Sequence, residues 1–155
     1  MDEIQYLTFY IGDEIFALDV LKIKEIIPYD HITTIPLMQS YVEGVMNIRG
    51  SIVPIISLND RLNLHLNMQS KKQSIIIISL NYDGEISDVG IIVSKVDQVF
   101  TLNPDEIESS PIFGAKIEKR FIKNIAKFKD DFISILDIDE ILNLEELSTT
   151  KQDEI

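Results

Sequence analysis

The 155-residue chain contains no cysteine. That single absence removes disulfides, thiolate metal sites and a cysteine nucleophile, and it suits a reducing compartment. Histidine is nearly absent too: His31 and His65 stand far apart, outside any HExxH spacing, and both read as surface residues rather than ligands or bases. Glycine is scarce, with six in all. Gly44 and Gly50 do not form GxGxxG, and there is no Gly-Lys-Ser/Thr, so no phosphate cradle is indicated and an ATPase or dinucleotide enzyme is not expected. GxSxG is also missing, and with it the esterase elbow. No apolar run approaches the roughly 18 residues of a membrane helix, and Ile75–Ile78 reads as a buried strand. The opening Met1-Asp2-Glu3-Ile4-Gln5 carries acid where a secretory signal carries Lys or Arg. A cytoplasmic location without direct membrane insertion is the expectation. Positive charge is in short supply: 14 basic against 26 acidic side chains give a net charge of −12. Such a surface repels a phosphate backbone, so nucleic acid is not an expected partner. The acidity serves solubility by self-repulsion, with a basic partner as the alternative reading.

What is present is a β pattern. Hydrophobic residues make up 45% of the chain, enough for one domain with a substantial core. In Gln5–Ile11, Leu7, Phe9 and Ile11 fall on one face of a half-buried strand. Gly12-Asp13 supplies a turn, and Ile15–Leu18 returns. Asp19 can cap one helical turn, after which Ile23 and Ile27 alternate with polar residues up to Pro28. Tyr41–Ile56 reads as two strands meeting at Arg49-Gly50, with Gly50 free to take positive φ. Pro54 argues for an edge or a bulge in the second of them. Ser57–Leu64 is predicted as a short helix and Asn67–Gln73 as a polar loop. Ser74–Leu80 and Val89–Val93 are predicted strands around a turn at Asn81–Gly84, with Val96, Val99 and Leu102 on a further extended piece. Pro104, Pro111 and Gly114 break up a loop-rich stretch. Phe121–Phe128 and Phe132–Leu136 pair across Lys129–Asp131. Asp137 and Glu140 are spaced as in a capping box and open an amphipathic helix, with Ile141, Leu142 and Leu144 as its core candidates. Residues 148–155 are expected to form a flexible acidic tail beyond a domain at 1–147. Many short strands with few helices give a mainly β fold, one or two small barrels or a sandwich.

Candidates for chemistry are few. Asp137, Asp139 and Glu140 are dense enough to hold Mg²⁺ or form an acid–base pair, but they equally suit a helix N-terminus. Asp83-Gly84-Glu85 with Asp88 lacks EF-hand spacing and reads as a turn. No cofactor is called for. Arg49, beside a predicted strand turn and flanked by apolar residues, carries the rigid donor fork favoured at interface hot spots. By pattern alone it also reads as an ordinary exposed charge.

Four segments carry a resemblance. Gln5–Ile26, with its Gly-Asp-Glu turn, resembles the opening of the CheW family. Gly44-Val45-Met46-Asn47-Ile48-Arg49-Gly50-Ser51-Ile52-Val53-Pro54-Ile55-Ile56-Ser57-Leu58 is similar to that family's most diagnostic segment. Val89–Val96 resembles a strand of its second half, and Phe132–Leu142 its terminal strand and helix. The resemblance implies two interleaved five-stranded β-barrels sharing a core, with a short C-terminal helix packed on the first-half barrel. It implies no enzymatic activity. It implies as partners the cytoplasmic tip of a chemoreceptor, a helical hairpin docked in the groove between barrels, and the regulatory domain of the kinase CheA. The protein would then be cytoplasmic and recruited to membrane-associated receptor arrays.

Carried over residue by residue, Arg49 matches the family's functional arginine. Ile23 and Glu25 match the receptor-facing strand, and Asn47 and Gly50 match residues shaping the Arg49 turn. Phe113 resembles a hydrophobic position used in ring contacts with the kinase, with core packing as its alternative. Glu108 is a further candidate at the kinase interface, and it departs from homologues that carry Arg there. Thr34 departs where the family often has a basic residue. A CheV-like coupler or a detached kinase regulatory domain is the alternative within the fold. The first would need a receiver domain and the second belongs to a chain with catalytic motifs, for which these residues leave no room. A carboxylate enzyme is the remote alternative.

Overall fold

The computed structural model describes residues 3–68, 72–108 and 117–143. It opens with β1 (Ile4–Ile11) and β2 (Glu14–Asp19), paired Leu7 to Leu18 and Phe9 to Phe16 across the Gly12-Asp13 turn. Asp19 caps a 3-10 turn over Val20–Lys22, its carboxylate accepting the Leu21 N–H at 2.9 Å. The chain then enters a second sheet through β3 (Ile23–Pro28), β4 (Val42–Ile48) and β5 (Ser51–Ser57). A single-turn helix α1 (Leu58–Arg61) follows, then β6 (Ser74–Tyr82) and β7 (Glu85–Val93). It returns through β8 (Lys95–Leu102), β9 (Ile107–Glu108), β10 (Ile122–Phe128), β11 (Asp131–Leu136) and the single-turn helix α2 (Ile138–Ile141).

The outcome is two interleaved sheets, ordered β8-β1-β2-β11-β10-β9 and β3-β6-β7-β5-β4. One sheet has the five strands expected, although among the described residues no ladder closes it between β3 and β4. The other gains a sixth strand, the two-residue β9, which pairs with Ile125 and Ala126. Each sheet contains one parallel pair, β2 with β11 and β5 with β7. The first hairpin is thereby completed by the last strands. Side chains bring the flanks of the six-stranded sheet together: the Phe100 ring on β8 and the Phe128 ring on β10 have centroids 4.5 Å apart.

Both faces of the central strands are covered, which explains the unbroken isoleucines. Ile76 and Ile78 face a core shared by both sheets, with Leu7, Phe9, Ile11, Phe16 and Leu18 from one side and Ile91 and Val93 from the other. Ile75 and Ile77 point the opposite way, into a core of the five-stranded sheet with Met46, Val53, Ile55 and Ile92. A third cluster, including Tyr6, Ala17, Ala126 and Ile135, fills the six-stranded sheet. Leu7, Phe9 and Ile11 thus share a face as their spacing predicts, and Ile141 and Leu142 join the shared core. Leu144 and the 148–155 tail lie outside the described residues.

Several boundaries differ from the sequence reading. The helix predicted over Ser57–Leu64 shrinks to Leu58–Arg61, because Ser57 serves as its cap and Asn63 takes positive φ. The turn at Asn81–Gly84 narrows to Asp83-Gly84, since β6 runs to Tyr82 and β7 starts at Glu85 rather than Val89. The Lys129–Asp131 loop narrows likewise, Asp131 being the first residue of β11. Pro54 lies in an interior strand, yet the ladder to β7 begins only at Ile55, so locally it sits on an edge. His31 and His65 are exposed.

Candidate partner-binding site

The β4–β5 hairpin turns in two residues. Arg49 (φ 51°) and Gly50 (φ 86°) both adopt left-handed backbone, the pattern of a type I′ turn matched to strand twist. The sequence reading gave that freedom to Gly50 alone. Asn47 Oδ1 accepts the Gly50 N–H at 2.9 Å and braces the turn from its first strand. Around Gly50 a Cβ would meet nothing within 4 Å, so its role is backbone conformation.

On β3 a bulge decides what faces this turn. Ile23 pairs with Ile78 but Glu25 pairs with Ile77, leaving Lys24 as the extra residue. In a regular strand Lys24 and Glu25 would point to opposite faces; a bulge breaks that alternation. Both engage one cluster. Arg49 donates to Glu25 in an ion pair, and Lys24 Nζ meets Asp88 Oδ2 at 2.6 Å. Ser79, paired with Asp88 across β6 and β7, donates its hydroxyl to Asp88 Oδ1 at 3.0 Å. The charged mouth of the five-stranded sheet is therefore built from β3, β6, β7 and the β4–β5 turn.

Charge in this cluster is mutually stabilised. The Arg49 hydrogen bond holds the Glu25 carboxyl below its ordinary pKa, and Arg49 is raised in turn. The Lys24 hydrogen bond, helped by Ser79, lowers Asp88. The Arg49 side chain keeps 66% of its exposure against 28% for Glu25, so the carboxylate orients a guanidinium that still faces outward. Apolar side chains flank the mouth. Ile52, opposite Asn47, is 72% exposed, and Ile86, two residues from Asp88, is 74% exposed.

Of the predicted site residues, the structure brings together Arg49, Glu25, Asn47 and Gly50. Ile23 opens the same strand but packs against the shared core. Glu108 lies exposed on β9 in the other sheet, away from this cluster. Phe113 lies outside the described residues. Sequence reasoning missed Lys24, Ser79 and Asp88, whose meeting depends on the bulge and the cross-strand register. Asp88 drew notice only beside a turn.

The carboxylates near α2 are occupied structurally. Asp137 accepts the Glu140 N–H at 3.2 Å as the helix cap, Asp139 pairs with Lys22 at 2.8 Å, and Glu140 reaches Arg120 at 3.3 Å. No helix among the described residues is long and apolar enough to cross a membrane.

Known proteins match along nearly the whole chain. A family described as the CheW-like domain matches residues 5–146. The chain is 31% identical over 144 residues to the chemotaxis protein CheW of Klebsiella aerogenes, covering 93% of this chain and 84% of that protein. It is also 31% identical over 148 residues to CheW of Bacillus subtilis, covering 96% and 92%. The crystal structure of a scaffolding protein, TtCheW from Thermoanaerobacter tengcongensis, superposes with a TM-score of 0.80 at 30% identity, covering 89% of this chain and 86% of that one. With its two interleaved sheets and its Arg49 hairpin, the chain belongs to the CheW-like domain family, a family of chemotaxis scaffolds.

Proposed function

We propose that this chain is a non-catalytic adaptor that couples the cytoplasmic tip of a chemoreceptor to the regulatory domain of CheA and helps control that kinase. The observation that carries the reading is the Arg49 turn: a hairpin tip fixed by Asn47, with an exposed guanidinium aimed by Glu25 and flanked by exposed Ile52 and Ile86. An exposed arginine fork with apolar neighbours and a polar surround has the composition of a protein-binding hot spot. A helical hairpin offers apolar side chains and polar groups along one face, which suits such a surface. In this reading β3, with Ile23 and Glu25, lies on the receptor side. Glu108 is a candidate for the kinase contact, as is Phe113 by its resemblance alone. The protein works in the cytoplasm and is recruited to membrane-associated receptor arrays.

Reconstitution with a receptor-tip fragment and CheA tests the reading. The expected result is a ternary complex whose kinase activity depends on the receptor. A mixture in which the protein joins neither partner, or leaves kinase activity unchanged, overturns it.

A further inference from the structure

Away from the Arg49 mouth, four side chains from distant parts of the sequence form a stack. The Arg61 guanidinium carbon, at the end of α1, lies 4.8 Å from the Tyr41 ring centroid and 4.8 Å from that of Phe121. Arg120 covers the same Phe121 ring at 4.4 Å. All three distances fall within the roughly 6 Å over which a cation is held by an aromatic quadrupole. Arg61 also donates its Nε–H to the Ile141 carbonyl at 2.8 Å, capping the last residue of α2. Arg120 continues outward to Glu118 at 2.9 Å and Glu140 at 3.3 Å.

This stack crosses the boundary between the two sheets. Tyr41 and Arg61 bracket the β4–β5 hairpin that bears Arg49. Phe121 and Arg120 lead directly into β10, and Ile141 follows β11, both in the six-stranded sheet. Tyr41 also ties to the end of β5, its carbonyl accepting the Ser57 N–H at 2.8 Å. Phe121 in turn accepts the Asp137 N–H at 2.9 Å through its carbonyl. Each ring is therefore anchored to the backbone of its own sheet. The apolar core between the sheets resists separation but is non-directional. A guanidinium held over two rings and hydrogen-bonded through its Nε–H is directional.

We propose that Arg61 is a positioning residue that sets the angle between the two sheets, so that the surface around Arg49 and the surface around Glu108 move as one body. The functional part of this inference rests on the coupling role proposed above; the mechanical part does not. Lysine cannot substitute, because a compact ammonium does not spread over two rings while donating an Nε–H to the Ile141 carbonyl.

The absence of cysteine permits a direct test. Nitroxide labels are placed on Asn81→Cys in the five-stranded sheet and Thr101→Cys in the six-stranded sheet, both exposed. The inter-label distance distribution is then measured with Arg61 intact, in Arg61→Met and in Arg61→Lys. The parent should give one narrow peak. Both variants should broaden it at least two-fold while circular dichroism stays unchanged. An unchanged distribution in folded Arg61→Met overturns the proposal. Where Arg61→Met does not fold, Tyr41→Leu replaces it, with the same broadening expected and the same null result fatal. In reconstituted receptor–CheA complexes, Arg61→Met should bind each partner within two-fold of the parent but lose several-fold of the receptor-dependent change in kinase activity. Binding that falls in step with kinase control would instead mark Arg61 as merely structural. A parent protein that shows no coupling at all would overturn the coupling role, while the distance measurement still decides the joint.

Discussion

Glu25 and Arg49 come from opposite flanks of the five-stranded sheet, β3 and the β4–β5 turn, yet their side chains meet in an ion pair across its mouth. Among the described residues no backbone ladder joins β3 to β4. Side-chain charge thus links what backbone hydrogen bonds leave apart, and it does so where the proposed partner docks.

Arg49→Asp should abolish receptor-dependent kinase control while leaving the urea midpoint and unfolding slope near those of the parent, since the side chain is mostly exposed. The double exchange Arg49→Glu with Glu25→Arg separates two roles. It restores the ion pair, but control should stay lost if the outward guanidinium itself contacts the partner. Pull-down and kinase assays on the two variants beside the parent decide this.

Two glycines of the same hairpin should respond differently to alanine. At Gly44 (φ 149°) a Cβ would lie 2.1 Å from the Thr33 carbonyl oxygen, where Thr33 and Val45 exchange backbone hydrogen bonds at 2.8 Å. Overpacking of about 1–3 kcal/mol adds there to a left-handed penalty of about 1–2 kcal/mol, so Gly44→Ala should cost about 2–5 kcal/mol. Gly50→Ala meets open space and should cost only the backbone penalty of about 1–2 kcal/mol. Equal midpoints in chemical denaturation would refute this ranking.

Acid should weaken the fold through the mouth cluster. Asp88 has a depressed pKa, so its contribution is complete above the ordinary carboxylate pKa and is lost as pH falls through the lower folded-state value. Asp88→Asn should flatten the acid limb of stability against pH between neutrality and pH ~3. Lys22 behaves oppositely: its hydrogen bond to Asp139 raises its pKa, so that contribution is present below the ordinary lysine value and is lost as pH rises through the elevated one. Lys22→Met should remove that contribution below the ordinary lysine value and flatten the alkaline limb.

Asp137→Ala should lower stability by about 0.5–2 kcal/mol through the lost helix cap. It should leave kinase control intact wherever the protein is folded, whereas an enzyme using this carboxylate would lose its activity.

Local chemistry was legible in the sequence, and long-range register was not. Period-two spacing found β1, and Gly-containing dipeptides located the turns at Gly12, Gly50 and Gly84. The Asp19 and Asp137 caps followed from residue type and spacing. The Arg49 turn could be singled out because its whole signal lies within a few residues. Lys24 could not be assigned to Asp88, because a one-residue bulge, invisible in composition, redirects β3. β9 escaped notice because two residues carry no period. The Tyr41–Arg61–Phe121 stack left no trace either, since its members are scattered along the chain and meet only in the folded protein.

The parallel pairing of β2 with β11 has a consequence for synthesis. Phe16 lies beside Ser134 and Ala17 beside Ile135. As the chain emerges from the ribosome, β2 must wait for β11, with Tyr6 and Ala17 not yet covered by Ile133 and Ile135, while the whole five-stranded sheet is made. Such distant pairings fold slowly and expose apolar edges in the interval. The middle of the chain can assemble as it appears, whereas β2 gains its parallel neighbour only once β11 has been translated.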